Sequence, residues 1–317
     1  MRNVPASHPR LCYPAVDMAR VRYERLPTEQ RHPRSHDLDR LSVPQLLELM
    51  NREDARAVRA VTAQRRQISD AVHLITRALG SGGRLFLLGA GTSGRLGVLE
   101  AAECPPTFHT SPSMVQALIA GGRRAVFRSR EGAEDAGAQG RRAVRRAVRR
   151  GDAVVGITAS GVTRFVDAGL REAAARGART ILITCHPRST IPAHVRIAPV
   201  VGPEVLTGST RLKAGTATKL VLNMLTLGAM VQLGRTYGDL MVDVRPTSRK
   251  LHERALRTIQ TFTGGTRAAA ARALRASGGH VKTAVIMATT HASRAAARKR
   301  LAAAGGSLRH ALSGDSH

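Results

Sequence analysis

The sequence predicts an α/β fold: a doubly wound, parallel five-stranded sheet in an α-β-α sandwich, followed by a small helical C-terminal domain. Three observations carry that expectation. Short apolar runs bounded by glycine and hydroxyl residues recur through the middle of the chain, as buried parallel strands do. Stretches with helical spacing separate them, and such alternation implies a parallel sheet covered on both faces. Beyond Thr247 the chain turns Ala-rich, and Gly264-Gly265, Gly278-Gly279 and Gly305-Gly306 punctuate three or four short helices. At 317 residues, one large domain plus a small one is the natural size. The expected boundaries are a loose extension over 1–22, a main domain over 23–247 and a helical domain over 248–317.

Taken in order, the first residues are rich in Pro and Arg and lack periodicity. Thr28-Glu29-Gln30-Arg31-His32-Pro33 and Asp37-Leu38-Asp39 form a polar arm. Ser42 reads as a helix N-cap with Gln45 at the capping-box position. A long helix follows, with Ile68, Val72, Ile75 and Leu79 at helical spacing up to Gly80. Residues 84–88 are the first strand. Gly89-Ala90-Gly91-Thr92-Ser93-Gly94 then turns into a helix with Leu96, Leu99 and Ala102 on its apolar side, which Pro105-Pro106 should stop. Residues 114–120 are the second strand, and Glu131-Gly132-Ala133-Glu134-Asp135 begins an arginine-rich helix. Residues 153–157 are the third strand, followed by the hydroxyl-rich turn Ala159-Ser160-Gly161-Val162-Thr163 and a helix over 165–175. Residues 180–185 and 195–201 are the fourth and fifth strands. Gly208-Ser209-Thr210-Arg211-Leu212-Lys213-Ala214-Gly215 opens a buried helix to Leu233. Ligands of such sheets sit beyond the carboxyl ends of the strands, so these hydroxyl-bearing turns share one rim.

Composition excludes several classes. The net charge is +28, which reads either as an anionic partner or as arginines on solvated helix faces. Arg141-Arg142, Arg145-Arg146 and Arg149-Arg150 alternate with Ala143-Val144 and Ala147-Val148, giving one helix a basic face and an apolar stripe. No aromatics are interleaved with the basic residues for base stacking, and zinc-finger or RNA-recognition signatures are missing, so no specific nucleic-acid partner is expected. The longest apolar run, over 220–233, is interrupted by Asn223, Thr226 and Gln232 and is too short to span a membrane. No apolar h-region follows the first basic residues, so no signal peptide is expected. Three scattered cysteines without C-x-x-C spacing suit a reducing cytoplasm and argue against zinc. No metal or cofactor is expected.

Free N–H groups and the Thr92 and Ser93 hydroxyls at a helix start form a natural phosphate cradle, although small residues also serve ordinary tight turns. The turn matches neither the dinucleotide fingerprint nor the P-loop. Ser160, Thr163, Ser209 and Thr210 read as further phosphate ligands or as N-caps. Lys213 adds charge or covers the following helix. Glu131, Glu134 and Asp135 fit the first turn of a helix through its dipole. Glu103 at a helix end is unfavourable there, so its presence needs a reason. Cys104 beside it has no paired histidine and reads as packing.

Longer strings narrow these readings. Gly89-Ala90-Gly91-Thr92-Ser93-Gly94-Arg95-Leu96-Gly97, Glu103-Cys104-Pro105-Pro106-Thr107, Glu131-Gly132-Ala133-Glu134-Asp135 and the Gly208 to Thr216 string closely resemble the N-acetylmuramic acid 6-phosphate etherase family. Thr28-Glu29-Gln30-Arg31, Lys219-Leu220-Val221-Leu222-Asn223-Met224 and Leu240-Met241-Val242-Asp243-Val244 do so too, and the similarity runs from about Leu26 to the C-terminus. The resemblance implies a sugar-isomerase (SIS) fold and a homodimer without cofactor. It also implies cleavage of the lactyl ether of N-acetylmuramic acid 6-phosphate, giving N-acetylglucosamine 6-phosphate and D-lactate. It places the base on Glu134, the acid on Glu103, and the phosphate on the hydroxyl turns. Elimination from the open-chain aldehyde needs two carboxyls in opposite protonation states. The glucokinase regulatory protein is a non-enzymatic relative, so a sugar-phosphate sensor is the alternative; an aldose–ketose isomerase is a further one. Retention of both glutamates favours the enzyme. Val162, Arg164, His186, Asp239 and Ser248 depart from the family's usual residues, which bears on substrate fit.

Overall fold

The computed structural model describes residues 22–244 and 246–313, so the expected extension lies outside the described residues but for Arg22. Its strands are β1 (Leu85–Gly89), β2 (Val115–Ile119), β3 (Ala153–Ile157), β4 (Arg179–Ile183) and β5 (Val195–Ile197). They form one parallel sheet in the order β2-β1-β3-β4-β5. Ala153 pairs with Arg179 and Ile157 with Ile183 across β3 and β4, and Ile181 pairs with Val195 across β4 and β5. Every residue of β1 and β3 is buried, as central strands covered on both faces must be. The fifth strand ends at Ile197 rather than residue 201. From β1 the chain steps outward to β2 and then crosses back to β3 on the other side of β1. The carboxyl ends of β1 and β3 therefore flank the switch point where open α/β sheets bind ligands.

Ser42 and Gln45 form the capping box that opens α1 (Val43–Thr62). The single long helix expected here is two, because α2 (Arg65–Gly80) starts after a break at Ala63 and Gln64. Gln64 Oε1 accepts the Ala198 N–H at 2.9 Å, which ties the break to the end of β5.

The next helix, α3 (Gly91–Phe108), corrects two expectations. It runs through Pro105 and Pro106 instead of stopping there. The prolines remove only their own N–H bonds, and the His109 N–H still reaches the Pro105 carbonyl at 3.0 Å. The helix ends where His109 turns left-handed, at φ +53°. Its buried face carries Gly94, Gly97, Glu100, Cys104 and Phe108, while Leu99 is 43% exposed and Ala102 is exposed. Glycine faces the sheet because the approach is close. A Cβ at Gly97 would stand 3.1 Å from Leu87 Cβ, and one at Gly94 2.8 Å from the Gly89 carbonyl oxygen.

A four-residue α4 (Arg124–Phe127) follows β2. The acidic string does not begin the arginine-rich helix: Ala133–Asp135 is a separate 3-10 turn, and α5 (Gly137–Ala147) starts after it. Arg141, Arg142, Arg145 and Arg146 of α5 are exposed, whereas Gly140 and Val144 are buried. Gly140 lies against α6 (Arg164–Ala175), where a Cβ would meet the Phe165 carbonyl oxygen at 2.1 Å.

After β5 comes α7 (Lys213–Gln232), the helix expected to open within the Gly208 to Gly215 string and to run to about Leu233. By length and composition it could cross a membrane, yet 56% of its apolar window is buried inside the fold, as in a core helix. The C-terminal part holds α8 (Arg249–Thr263), α9 (Arg267–Ala276), α10 (Val281–Thr290), α11 (Arg294–Ala303) and α12 (Leu308–Ser313). Ser248, Thr266 and Ser293 cap three of them through their hydroxyls. Leu256, Ile259, Val285, Ile286 and Leu308 fill their common core. Buried Lys282 donates at 2.7 Å to Asp243 Oδ2 and to the Gly234 and Gly306 carbonyls.

The chain divides into two compact units. One takes the residues up to 67, 86–97 and 117–220, including most of the sheet and its loops; the other takes 68–85, 98–116 and the chain from 221 on.

Candidate active site

The first rim loop joins β1 to α3. The Ala90 carbonyl accepts the Gly94 N–H at 3.1 Å, the first bond of the helix. The N–H groups of Gly91, Thr92 and Ser93 therefore have no acceptor within α3. Thr92 and Ser93 are half-buried, and their hydroxyls have no partner among the described residues. A Cβ on Gly215 would stand 3.7 Å from Thr92 Cγ2, so the start of α7 lies beside this loop. Ser209 and Thr210 sit just before that start, also half-buried and with hydroxyls unpartnered among the described residues.

Lys213 is placed otherwise. It is 1% exposed, and its ammonium pairs with Glu53 of α1. His32 Nε2, Arg34 and Arg56 also approach Glu53, at 3.2, 3.3 and 3.2 Å. Burial alone would raise the Glu53 pKa, but the Lys213 ammonium, then Arg56 and His32, pull it down to about 2. Buried Glu204 accepts the Lys213 and Ala214 N–H groups at 3.2 and 2.9 Å and so caps α7. The Lys213 charge is thus committed to holding α1 to α7 within its own unit, and its side chain is not free for a phosphate.

The second loop follows β3. Buried Thr158 Oγ1 lies 2.8 Å from the Thr163 hydroxyl and 3.4 Å from that of Ser160, and accepts the Gly161 N–H at 3.1 Å. Thr163 occupies the N-cap position of α6, but its hydroxyl turns to Thr158 and makes no cap bond. Gly161, at φ +75°, is closely packed: a Cβ there would fall 2.8 Å from Ser189 Cβ. Its carbonyl accepts the Ser189 hydroxyl at 2.6 Å. His186 adjoins this loop, and burial pushes its pKa down.

Glu134 lies in a pocket shared with the first loop, walled by Gly91, Arg95, Arg130, Glu131 and Ala133. Its carboxyl is held above the usual range, first by desolvation and then by the charges of Asp135, Glu131 and Glu29. A raised carboxylate pKa makes a better proton acceptor near neutrality. Glu29 comes from the polar arm: its Oε1 accepts the Thr28 hydroxyl at 3.1 Å, and its Oε2 would meet a Gly208 Cβ at 3.1 Å. Glu103 is exposed, near the end of α3.

Comparison with known proteins then decides the family. The family described as glucokinase regulatory protein N-terminal SIS domain matches residues 67–174, and the SIS domain family matches residues 134–228. The N-acetylmuramic acid 6-phosphate etherase of Rippkaea orientalis is 48% identical over 290 residues, covering 90% of this chain and 95% of the relative. That of Gloeobacter violaceus is 53% identical over 273 residues, covering 83% and 89%. The chain belongs to the N-acetylmuramic acid 6-phosphate etherase family. Among solved structures, a phosphoheptose isomerase from Francisella tularensis aligns at a TM-score of 0.47 and 15% identity, covering 60% of this chain and 99% of that one.

Within this etherase-family chain, the structure brings together the loop of Thr92 and Ser93, the segment of Ser209 and Thr210, and Glu134. Reading the sequence missed Arg95, Arg130 and Glu29 as neighbours of Glu134. The family strings contain Arg95 and Glu29, but nothing in linear spacing aims them at one pocket. The Glu53–Lys213 pair was equally hidden, since its halves lie on α1 and α7.

Proposed function

We propose that this protein cleaves the lactyl ether of N-acetylmuramic acid 6-phosphate to N-acetylglucosamine 6-phosphate and D-lactate, as a carbon–oxygen lyase. Glu134 removes the C2 proton of the open-chain sugar, and the C–H electron pair becomes the C2–C3 double bond. The C3–O bond breaks, and Glu103 protonates the departing lactate oxygen. Water then adds across the double bond, its oxygen to C3 and its proton to C2. The Thr92–Ser93, Ser160–Thr163 and Ser209–Thr210 turns receive the phosphate. The observation that carries this reading is Glu134, with its raised pKa, in one pocket with the first phosphate loop.

A homodimer in the cytoplasm belongs to the same reading. Met224, Leu227 and Val231 are 44%, 52% and 45% exposed along one face of α7, an apolar stripe of the kind that marks association. The match to a regulatory protein's domain keeps a sugar-phosphate sensor as the alternative. Incubating the purified protein with N-acetylmuramic acid 6-phosphate and assaying D-lactate separates the two. A sensor binds the sugar and releases none.

A further inference from the structure

The pocket beside Glu134 contains two cations that the proton transfers above do not use. Arg95 stands on the first turn of α3, its Nε donating to the Val126 carbonyl at 3.0 Å. That bond holds the guanidinium in place, and Arg95 lines the pocket. Arg130 runs over Gly121 at the carboxyl end of β2, and its Nη1 lies 3.5 Å from the Gly121 carbonyl oxygen. Gly121 is left-handed, at φ +79°, and a Cβ there would meet the Arg130 stem at 3.0 Å; the glycine admits the arginine. Neither guanidinium forms an ion pair among the described residues. Glu131, which follows Arg130 in the chain and lines the same pocket, accepts the Ser129 hydroxyl at 3.0 Å.

Two guanidiniums without an ion-pair partner among the described residues line the same pocket as the general base and can receive an anion there. The proposed substrate has two, the phosphate at C6 and the carboxylate of the lactyl group on C3. The phosphate has the hydroxyl turns. The lactyl carboxylate is attached to the carbon that bears the ether oxygen, close to the C2 proton that Glu134 takes. Without a cation between them, this carboxylate and Glu134 would repel. Planar guanidinium forks match carboxylates in geometry and charge.

We infer that Arg130, with Arg95, binds the lactyl carboxylate and so selects a sugar carrying an acidic ether over one with a free C3 hydroxyl. This rests on the etherase reading of the site. Arg130 is the specificity residue to test, because Arg95 also supports the segment around Val126.

The experiment compares two substrates on one protein. Lactate release from N-acetylmuramic acid 6-phosphate needs the lactyl group. Uptake of deuterium at C2 of N-acetylglucosamine 6-phosphate needs the same base and phosphate loops but no lactyl site. Arg130→Gln should raise KM for lactate release by roughly ten- to a hundred-fold, the loss of charge-assisted bonds, and leave KM for exchange unchanged. Arg130→Lys, which keeps the charge without the fork, should fall between. Arg130 is exposed, and a thermal melt checks that each variant folds. Equal rises in both KM values would mean that the guanidinium holds phosphate, and no rise in either would mean that it holds nothing; both overturn the inference. If the unmodified protein exchanges the C2 proton but releases no lactate, the etherase reading itself fails, and this inference falls with it.

Discussion

Glu134 is the residue on which the chemistry turns, and its surroundings set how it should respond to pH. A base works ionised, so kcat/KM falls as pH drops through its pKa. Desolvation and the Asp135, Glu131 and Glu29 charges hold that pKa above the ordinary 4.5, so the acid limb of the profile should lie above 4.5. Asp135→Asn removes the strongest neighbouring charge and should move the limb to lower pH. A limb that stays in place would mean that another group sets it. Ser93 makes the complementary case on the phosphate side. Ser93→Ala should raise KM roughly ten- to a hundred-fold through the loss of a charge-assisted bond, and unphosphorylated N-acetylmuramic acid should be a poor substrate. At this scale the sequence was readable where a string of neighbours carried the meaning, as around Glu134 and Ser93. It was not readable for Lys213, whose partner Glu53 is distant in sequence. A lysine near a hydroxyl turn looks the same whether it faces a phosphate or a buried carboxylate.

Among the elements, α1 and α7 are joined through that pair. Lys213→Met leaves Glu53 buried without its main counter-charge, which should cost about 3–5 kcal/mol in denaturant unfolding. Adding Glu53→Gln should restore part of the loss. The pair also makes stability depend on pH. The Glu53 pKa is depressed to about 2 from 4.5, so its stabilisation is complete above 4.5 and fades as pH falls from there through about 2. Helix α5 is the opposite case, a basic face without a buried partner. Replacing Arg141 and Arg145 of this helix, together with Arg149 just past its end, with glutamine should leave kcat/KM within about three-fold at physiological salt. A large loss confined to low salt would reveal steering of the anionic substrate. The elements also show where local rules mislead. The places of the five strands followed from glycine and hydroxyl punctuation, but their ends did not all follow: the fourth stops at Ile183 and the fifth at Ile197, short of the expected 185 and 201. Pro105-Pro106 looked like a stop, yet the helix continues one more turn because later N–H groups still find acceptors. Leu99 looked buried, yet the closeness of α3 to β1 gives that face to Gly94 and Gly97, and apolar spacing alone does not reveal such proximity.

For the molecule as a whole, the order β2-β1-β3-β4-β5 places two hydroxyl loops at the switch point, and α7 begins beside one of them. That alternation was legible because strand and helix periods differ. The arm carrying Glu29 was legible as a polar stretch and as a family string, but its place against Gly208 was not, since that depends on chain folded between them. The central claim is that Glu134 is the base and Glu103 the acid of an elimination. It is tested most directly by following C2 deuterium uptake from D2O and lactate release together in two variants. Glu134→Gln should abolish both, whereas Glu103→Gln should abolish lactate release and keep measurable uptake. Swapped phenotypes, or a fully active Glu103→Gln, would contradict the assignment.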